Sequence, residues 1–182
     1  RATSNICTAQ VLLSVMAGMY AVYHGKDGLI KIATKIATLT QLLENGISSL
    51  DYNQENENFF DTLKIKVSSE DKNKIKKLAE KNHLNFRYFE TEHIGISLDE
   101  TTQVSNVLDI LNIFSEVSGK SLEINLNNID DLNHNISGNQ IRNSEFLSHE
   151  VFNKYHTEHE ILRYMKRLEN KDLSLVHSMI SL

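Results

Sequence analysis

The sequence is poor in cysteine, has no proline and has no long hydrophobic run. Its one cysteine, Cys7, cannot form a disulfide within the chain. No uninterrupted apolar stretch approaches the roughly 20 residues that a membrane-spanning helix needs. The first residues lack the charged start, apolar middle and small-residue cleavage site of a secretory signal. These absences predict a soluble protein of the cytoplasm or an equivalent reducing compartment. The absence of proline, whose average usage is about 5%, carries no functional prediction.

Composition and charge exclude two further classes of protein. The net charge is -5 and 40% of the 182 residues are hydrophobic. This balance is neither the basic one of a nucleic-acid-binding protein nor the profile of an acidic disordered chain. A compact domain of this length buries roughly 70% of its unfolded surface, which is enough for a hydrophobic core. We therefore expect a folded domain that binds neither nucleic acid nor membranes.

Residues 1–50 are predicted to form a helical segment made of two helices. The first begins at Thr3 or Ser4, which are good N-cap residues, and ends at Gly25. Large and small apolar residues occur all round it, so we expect this helix to be buried on most sides. The second is predicted from Asp27 to Glu44, with a stop at the following asparagine and glycine. The large residues predicted to face inward in the first helix are Val11, Leu12, Val15, Met16, Met19, Tyr20 and Tyr23.

Residues 51–119 are predicted to form a small α+β domain. Apolar and polar residues alternate in TLKIKV (62–67) and in HIGISLD (93–99), as in strands buried on one face. Between them lie a helix with a serine cap and acidic first turn, and another short strand in NFRYF (85–89). A helix closed by Gly119 follows. The order is βαββα, a layered sheet with helices on one side.

Residues 120–182 are predicted to be an arm. Its first part is polar, rich in asparagine and only weakly periodic, which is typical of a loop. Thr157 and Glu160 then form a capping-box pattern ahead of an amphipathic helix. The chain ends on a short run that is apolar at almost every second position.

Three sets of residues are candidates for a chemical role. His149, His156 and His159 lie near glutamates, but no cysteine accompanies them and the spacing matches no zinc motif. A solvated helix start is the favoured interpretation, and no metal site is predicted. Cys7 lies about one turn inside a predicted helix, where a thiol could be reactive, although a buried small hydrophobic residue is the simpler interpretation.

Thr3, Ser4 and Asn5 form the third candidate site. Backbone N–H groups and hydroxyls at a helix start can bind an anion such as a phosphate. Ordinary N-capping explains the same residues. The residue pattern leaves both interpretations open.

Long stretches of the sequence resemble a known enzyme family. They are ATSNICTAQVLLSVMAGMYAVYHGKDGL (2–29) and HEVFNKYHTEHEILRYMKRLENKDLSLVHSMI (149–180), with FDTLKIKV and HIGISLDETT in order between them. The chain resembles the pyridoxal-phosphate-dependent glycine dehydrogenase (decarboxylating), the P-protein of the glycine cleavage system. Family members look like two fused aminotransferase-like units, of which the second holds the cofactor lysine. This chain resembles the end of the first unit and the connector to the second.

The resemblance implies a fold and a function. The fold would be the small domain of a fold-type I pyridoxal-phosphate enzyme, a βαββα unit with flanking helices and a C-terminal arm. The complete enzyme would decarboxylate glycine and pass the aminomethyl group to the lipoylated H-protein. The other half of the P-protein and a second copy in a homodimer are further implied partners. The Schiff-base lysine and the glycine-rich phosphate loop belong to parts of the family that are not matched here.

The expected site is therefore small. No catalytic residue is assigned to this chain, and pyridoxal phosphate is not expected to bind to it alone. The one cofactor hypothesis is that Thr3, Ser4 and Asn5 face the phosphate of the cofactor.

The residues alone leave two other functions open. The chain could be a free-standing regulatory domain that senses an amino acid and dimerises, or a scaffold that binds partner proteins through its arm.

Overall fold

The computed structural model describes residues 8–124, 126 and 140–178. The chain divides into two compact units. One comprises Arg1–Lys31 and Asn143–Leu182, and we call it the terminal unit. The other comprises Ile32–Arg142, and we call it the central unit. The predicted division into residues 1–50, 51–119 and 120–182 stays a prediction.

Helix α1 spans Thr8–Ser49 and contains a kink at Gly25. The backbone there has φ 61° and ψ -172°, a conformation that residues with a Cβ atom almost never adopt. The predicted interruption at Gly25 is thus confirmed. The predicted end near Glu44 is wrong, because the helix continues through Gly46 to Ser49. Gly46 is buried, and an added Cβ atom would lie 2.5 Å from Leu111 Cδ1, so this glycine permits close packing instead of ending the helix.

The large apolar side chains in the first half of α1 are exposed. Val11, Leu12, Val15 and Met16 expose 52%, 63%, 52% and 59% of their surface. The predictions that they face inward and that this helix is buried on most sides are wrong for this chain. A helical repeat of apolar residues indicates that one face of the helix packs against another surface. It does not indicate which part of the protein provides that surface.

The described residues of the central unit form a four-stranded sheet and two helices in addition to the second part of α1. The strands are β1 (Asn53–Gln54), β2 (Thr62–Lys66), β3 (Arg87–Tyr88) and β4 (His93–Ser97), and all pair antiparallel in the order β1-β2-β4-β3. The helices are α2 (Ser69–Lys81) and α3 (Val104–Ser118). The predicted βαββα succession and the α+β class are confirmed. Strand β1, at two residues, is too short to leave an alternating pattern in the sequence.

The core of the central unit lies between one face of this sheet and its helices. In the register, Leu63 pairs with Ile96 and Ile65 with Ile94, and all four side chains are buried. Each such side chain stabilises the fold by about 1.5–3 kcal/mol relative to exposure. Fully buried residues from the helices complete the cluster: Leu43, Ile47, Ile75, Ala79, Val107, Leu111 and Phe114.

Local signals at the helix ends are confirmed. Ser68 Oγ accepts a hydrogen bond from the Asp71 N–H at 3.0 Å, which caps α2. Helix α3 ends at Gly119, whose φ of 70° is the left-handed conformation typical of a glycine C-cap.

The terminal unit adds a 3₁₀ helix (Glu150–Asn153) and helix α4 (Glu158–Glu169) to the first part of α1. The predicted capping box of α4 is confirmed, because Thr157 Oγ1 accepts from the Glu160 N–H at 3.4 Å and the Glu160 carboxylate accepts from the Thr157 N–H at 3.1 Å. None of the helices in the described residues has both the length and the hydrophobicity for a membrane crossing.

Candidate functional site

The residues proposed from the sequence to bind a phosphate lie outside the described residues. Thr3, Ser4 and Asn5 belong to this undescribed stretch, as does Cys7. Their assignment stays a prediction. The candidate site in the described part of the terminal unit lies at the kink in α1.

The kink in α1 is held by the segment ahead of α4. His156 Nδ1 lies 2.7 Å from the backbone oxygen of Tyr23, so the imidazole N–H donates to that carbonyl. A Cβ atom on Gly25 would lie 2.6 Å from the Phe152 backbone oxygen and 2.7 Å from His156 Cε1. Only glycine therefore allows this approach, both by its backbone conformation and by its lack of a side chain.

A cavity of about 330 Å³ lies beside the kink, within the terminal unit. Its charged and ionisable lining includes Lys26, Lys31, Asp27, His24 and His156. Two ammonium groups against one carboxylate favour an anion over a cation. Neither lysine is buried in the apolar surroundings that activate an amine as a nucleophile. The two lysines are therefore suited to binding an anion rather than to forming a Schiff base.

The histidines have structural partners that sequence reasoning missed. His149 Nδ1 accepts from the Val151 N–H at 3.1 Å and caps the 3₁₀ helix, while His156 binds the Tyr23 carbonyl. Nothing local in the sequence indicates the second contact, since its two residues are 133 positions apart. In residues 8–124, 126 and 140–178, no group of three or more His, Cys, Asp or Glu side chains could hold a metal ion.

The lysines of the described residues do not fit a Schiff-base site. Such a lysine needs a desolvated pocket that favours the neutral amine. No lysine in the described ranges is buried. Lys35 donates to the Glu100 backbone oxygen at 2.9 Å, and Lys72 donates to the backbone oxygens of Phe89 and Thr91. These amines serve structural contacts.

A second polar cluster lies on the sheet of the central unit. Lys64 on β2 donates to the Glu55 carboxylate at 2.8 Å, and His93 Nε2 on β4 lies 2.9 Å from the same oxygen. Thr91 Oγ1 lies 2.9 Å from His93 Nδ1, which fixes the ring. The hydrogen bond from Lys64, and secondly the contact with His93, lower the pKa of Glu55 from 4.5 to about 2. The cluster ties the segment after β1 to the two central strands.

We predict that Glu55→Gln flattens the acid dependence of stability in the central unit. Because the folded pKa of Glu55 lies below its ordinary value, its contribution is complete above about pH 4.5 and is lost as the pH falls towards 2. The free energy of unfolding of E55Q should therefore fall less steeply than that of the wild type between pH 4.5 and 2 in urea titrations.

The control for this prediction is Glu116→Gln, since Glu116 lies on the exposed side of α3. This substitution removes the same charge outside the cluster, so the acid slope of E55Q is compared with that of E116Q as well as with that of the wild type. Parallel acid limbs for wild type and E55Q would show that the cluster does not set the pKa of Glu55.

Comparison with known proteins places these features in a family. The family profile described as "Glycine cleavage system P-protein" matches residues 1–114. The chain is 48% identical over 182 residues to the glycine dehydrogenase (decarboxylating) of Flavobacterium johnsoniae and 47% identical over 185 residues to that of a Nostoc species. It is 46% identical over 183 residues to the human enzyme named glycine dehydrogenase (decarboxylating), mitochondrial.

The matches cover this whole chain but only a small part of each relative. Each covers 100% of this chain but only 19% of the two bacterial relatives and 18% of the human one. The matches include the Gly25 kink, the central unit and the capped helix α4, and the family profile alone covers well over half of the residues. The chain belongs to the glycine cleavage system P-protein family.

Proposed function

We propose that this chain forms a structural, non-catalytic part of an enzyme that decarboxylates glycine. The observation that carries the proposal is 48% identity along the whole chain to a glycine dehydrogenase (decarboxylating) of which it spans 19%. In the complete enzyme, glycine is the substrate and the lipoylated H-protein receives the aminomethyl group. Pyridoxal phosphate supplies the electron sink for decarboxylation when it is bound there.

The proposal assigns positioning roles to the parts of the chain. The central unit is the small domain of an aminotransferase-like, fold-type I enzyme, and residues 120–182 are the connector to a catalytic half. Thr3, Ser4 and Asn5 are the proposed contacts to the cofactor phosphate. The complete protein works as a homodimer in the cytoplasm, whereas the human relative is a mitochondrial protein by its name.

Exposed apolar surface in the terminal unit supports a role inside a larger protein. Val11, Leu12 and Met16 on α1 are more than half exposed, and Leu162 and Met165 on α4 expose 54% and 46%. Apolar patches of this kind usually mark contacts with another protein surface. About four-fifths of each relative's length lies outside the match, which is ample to cover them.

A chimera tests this function directly. In it, the 182 residues replace the matching segment of the Flavobacterium johnsoniae relative. We expect the chimera to bind pyridoxal phosphate and to exchange the glycine carboxyl group with labelled bicarbonate in the presence of H-protein, at a rate within about tenfold of the parent. The 182-residue chain alone should release no labelled carbon dioxide from glycine.

The matched control is the same relative with this segment deleted, which should lose the exchange reaction. A chimera that folds and binds the cofactor but does not exchange would contradict the purely structural role. Decarboxylation by the isolated chain would contradict it more directly.

A further inference from the structure

A cleft rich in arginine and tyrosine lies on α4 and the segment before it. It encloses about 370 Å³ in the terminal unit, and we call it the arginine–tyrosine cleft. Its lining consists of Lys154, Tyr155, Glu160, Arg163, Tyr164 and Arg167. The proposed enzymatic role uses none of these side chains.

The aromatic wall of the cleft fixes one of its arginines. The rings of Tyr155 and Tyr164 are stacked, with centroids 4.3 Å apart and planes inclined by 12°. The guanidinium carbon of Arg167 lies 5.6 Å and 5.2 Å from the two centroids, and its Nη2 donates to the Tyr155 hydroxyl. Arg167 is thus held in place before any ligand arrives, and most of its N–H donors stay available.

The charges within the cleft are not balanced. Lys154 forms an ion pair with Glu150. The Glu160 carboxylate accepts hydrogen bonds from both the N–H and the hydroxyl of Thr157. In the described part of the chain, neither Arg163 nor Arg167 has a carboxylate partner. Both are exposed and lie four residues apart on one face of α4, a spacing at which like charges repel. An incoming anionic group would relieve that repulsion.

We propose that the arginine–tyrosine cleft docks an acidic segment of a protein partner through two carboxylates. Residues four apart on a helix are separated by about 6 Å along its axis, which matches carboxylates on alternate residues of an extended segment. The guanidinium forks suit carboxylates in bidentate contacts, and the tyrosine rings receive the aliphatic part of a glutamate side chain.

The position of the arginines favours a peptide over a phosphate. Phosphate sites commonly use backbone N–H groups at a helix N-terminus. Arg163 and Arg167 instead lie in the middle and last turn of α4, where the helix dipole opposes a compact, doubly charged anion. Two carboxylates on one edge of an extended peptide can each contact one of the two guanidinium groups, and they do so without approaching the helix backbone.

The test is an NMR titration of the 182-residue chain with the peptide acetyl-Glu-Ala-Glu-Ala-Glu-amide. We expect saturable shifts of the Arg163 and Arg167 Nε–Hε resonances. A peptide with glutamine in place of each glutamate should produce none.

The substitutions Arg163→Gln and Arg167→Gln should each weaken binding by about threefold to fivefold, the range of an exposed ion pair. The double substitution should weaken it by about tenfold or more.

Lys166→Gln is the matched control, since Lys166 lies on the same helix but pairs with Glu169 at 2.8 Å and does not line the cleft. It removes the same charge and should change the affinity by less than twofold. The proposal is overturned if the glutamine peptide binds equally well, if the double variant binds like the wild type, or if inorganic phosphate displaces the peptide at equal concentration. The peptide comparison on the wild type needs no variant to fold.

Discussion

Replacing Gly25 with alanine is expected to destabilise the terminal unit by about 3 kcal/mol. Gly25 has φ 61° and ψ -172°, and a residue with a Cβ atom costs about 1–3 kcal/mol in that region. The new methyl group would also lie 2.6 Å from the Phe152 backbone oxygen and 2.7 Å from His156 Cε1. Overpacking of this kind costs typically 1–3 kcal/mol. The kink and its contact with the segment before α4 should both be lost.

Amide hydrogen exchange measures this effect where it occurs, because it reports the free energy of local opening. The amides of the 3₁₀ helix and of α1 around Tyr23 should exchange about a hundredfold faster in G25A. The control is Gly18→Ala in the same helix, where an added Cβ atom meets nothing within 4 Å. It should stabilise α1 by up to about 1 kcal/mol through helix propensity. Equal protection in G25A and wild type would contradict the proposed constraint.

The difference between these two glycines illustrates what the sequence reveals. Glycine followed by polar residues is a local stop signal, so the sequence predicts an interruption of the helix at Gly25. The sequence also predicts the caps at Ser68 and Thr157 and the closing glycine of α3, because each of these depends on residues within one turn. The alternation in β2 and β4 likewise predicted two strands with one buried face.

Features that depend on distant residues could not be predicted in this way. Nothing near Gly25 in the sequence indicates that His156 packs against it, and nothing near Gly46 indicates Leu111. The local sequence therefore predicts that the helix ends at Gly46, whereas it continues to Ser49. The same reason explains the exposed face of Val11 and Leu12, whose pattern requires a neighbour without identifying one.

The candidate site shows the same division. Its chemistry could be inferred only through resemblance to a family, because Thr3, Ser4 and Asn5 have an ordinary capping interpretation beside the phosphate one. The cavity beside the kink joins α1 to residues more than a hundred positions later, so no spacing in the sequence indicates it. The unpaired charges of Arg163 and Arg167 become visible only once Lys154 and Glu160 are seen to have other partners.

The second large effect is expected in the central unit, where Gly46 of α1 meets Leu111 of α3. Leu111 is fully buried, and Leu111→Ala should destabilise the unit by about 2–5 kcal/mol by leaving a cavity. Gly46→Ala should destabilise it by about 1–3 kcal/mol, because its methyl group would lie 2.5 Å from both Leu111 methyl carbons. Urea unfolding followed by circular dichroism gives both values.

The double variant G46A/L111A tests whether these two costs have one cause. If the Gly46 site is tight only because of Leu111, the alanine methyl at position 46 should enter the space that the leucine vacates. The double variant should then be more stable than the sum of the single effects predicts by at least about 1 kcal/mol, as for residues in direct contact. Additive effects would instead mean that Gly46 is needed for backbone reasons, and that α1 passes the predicted stop for a cause other than packing against α3.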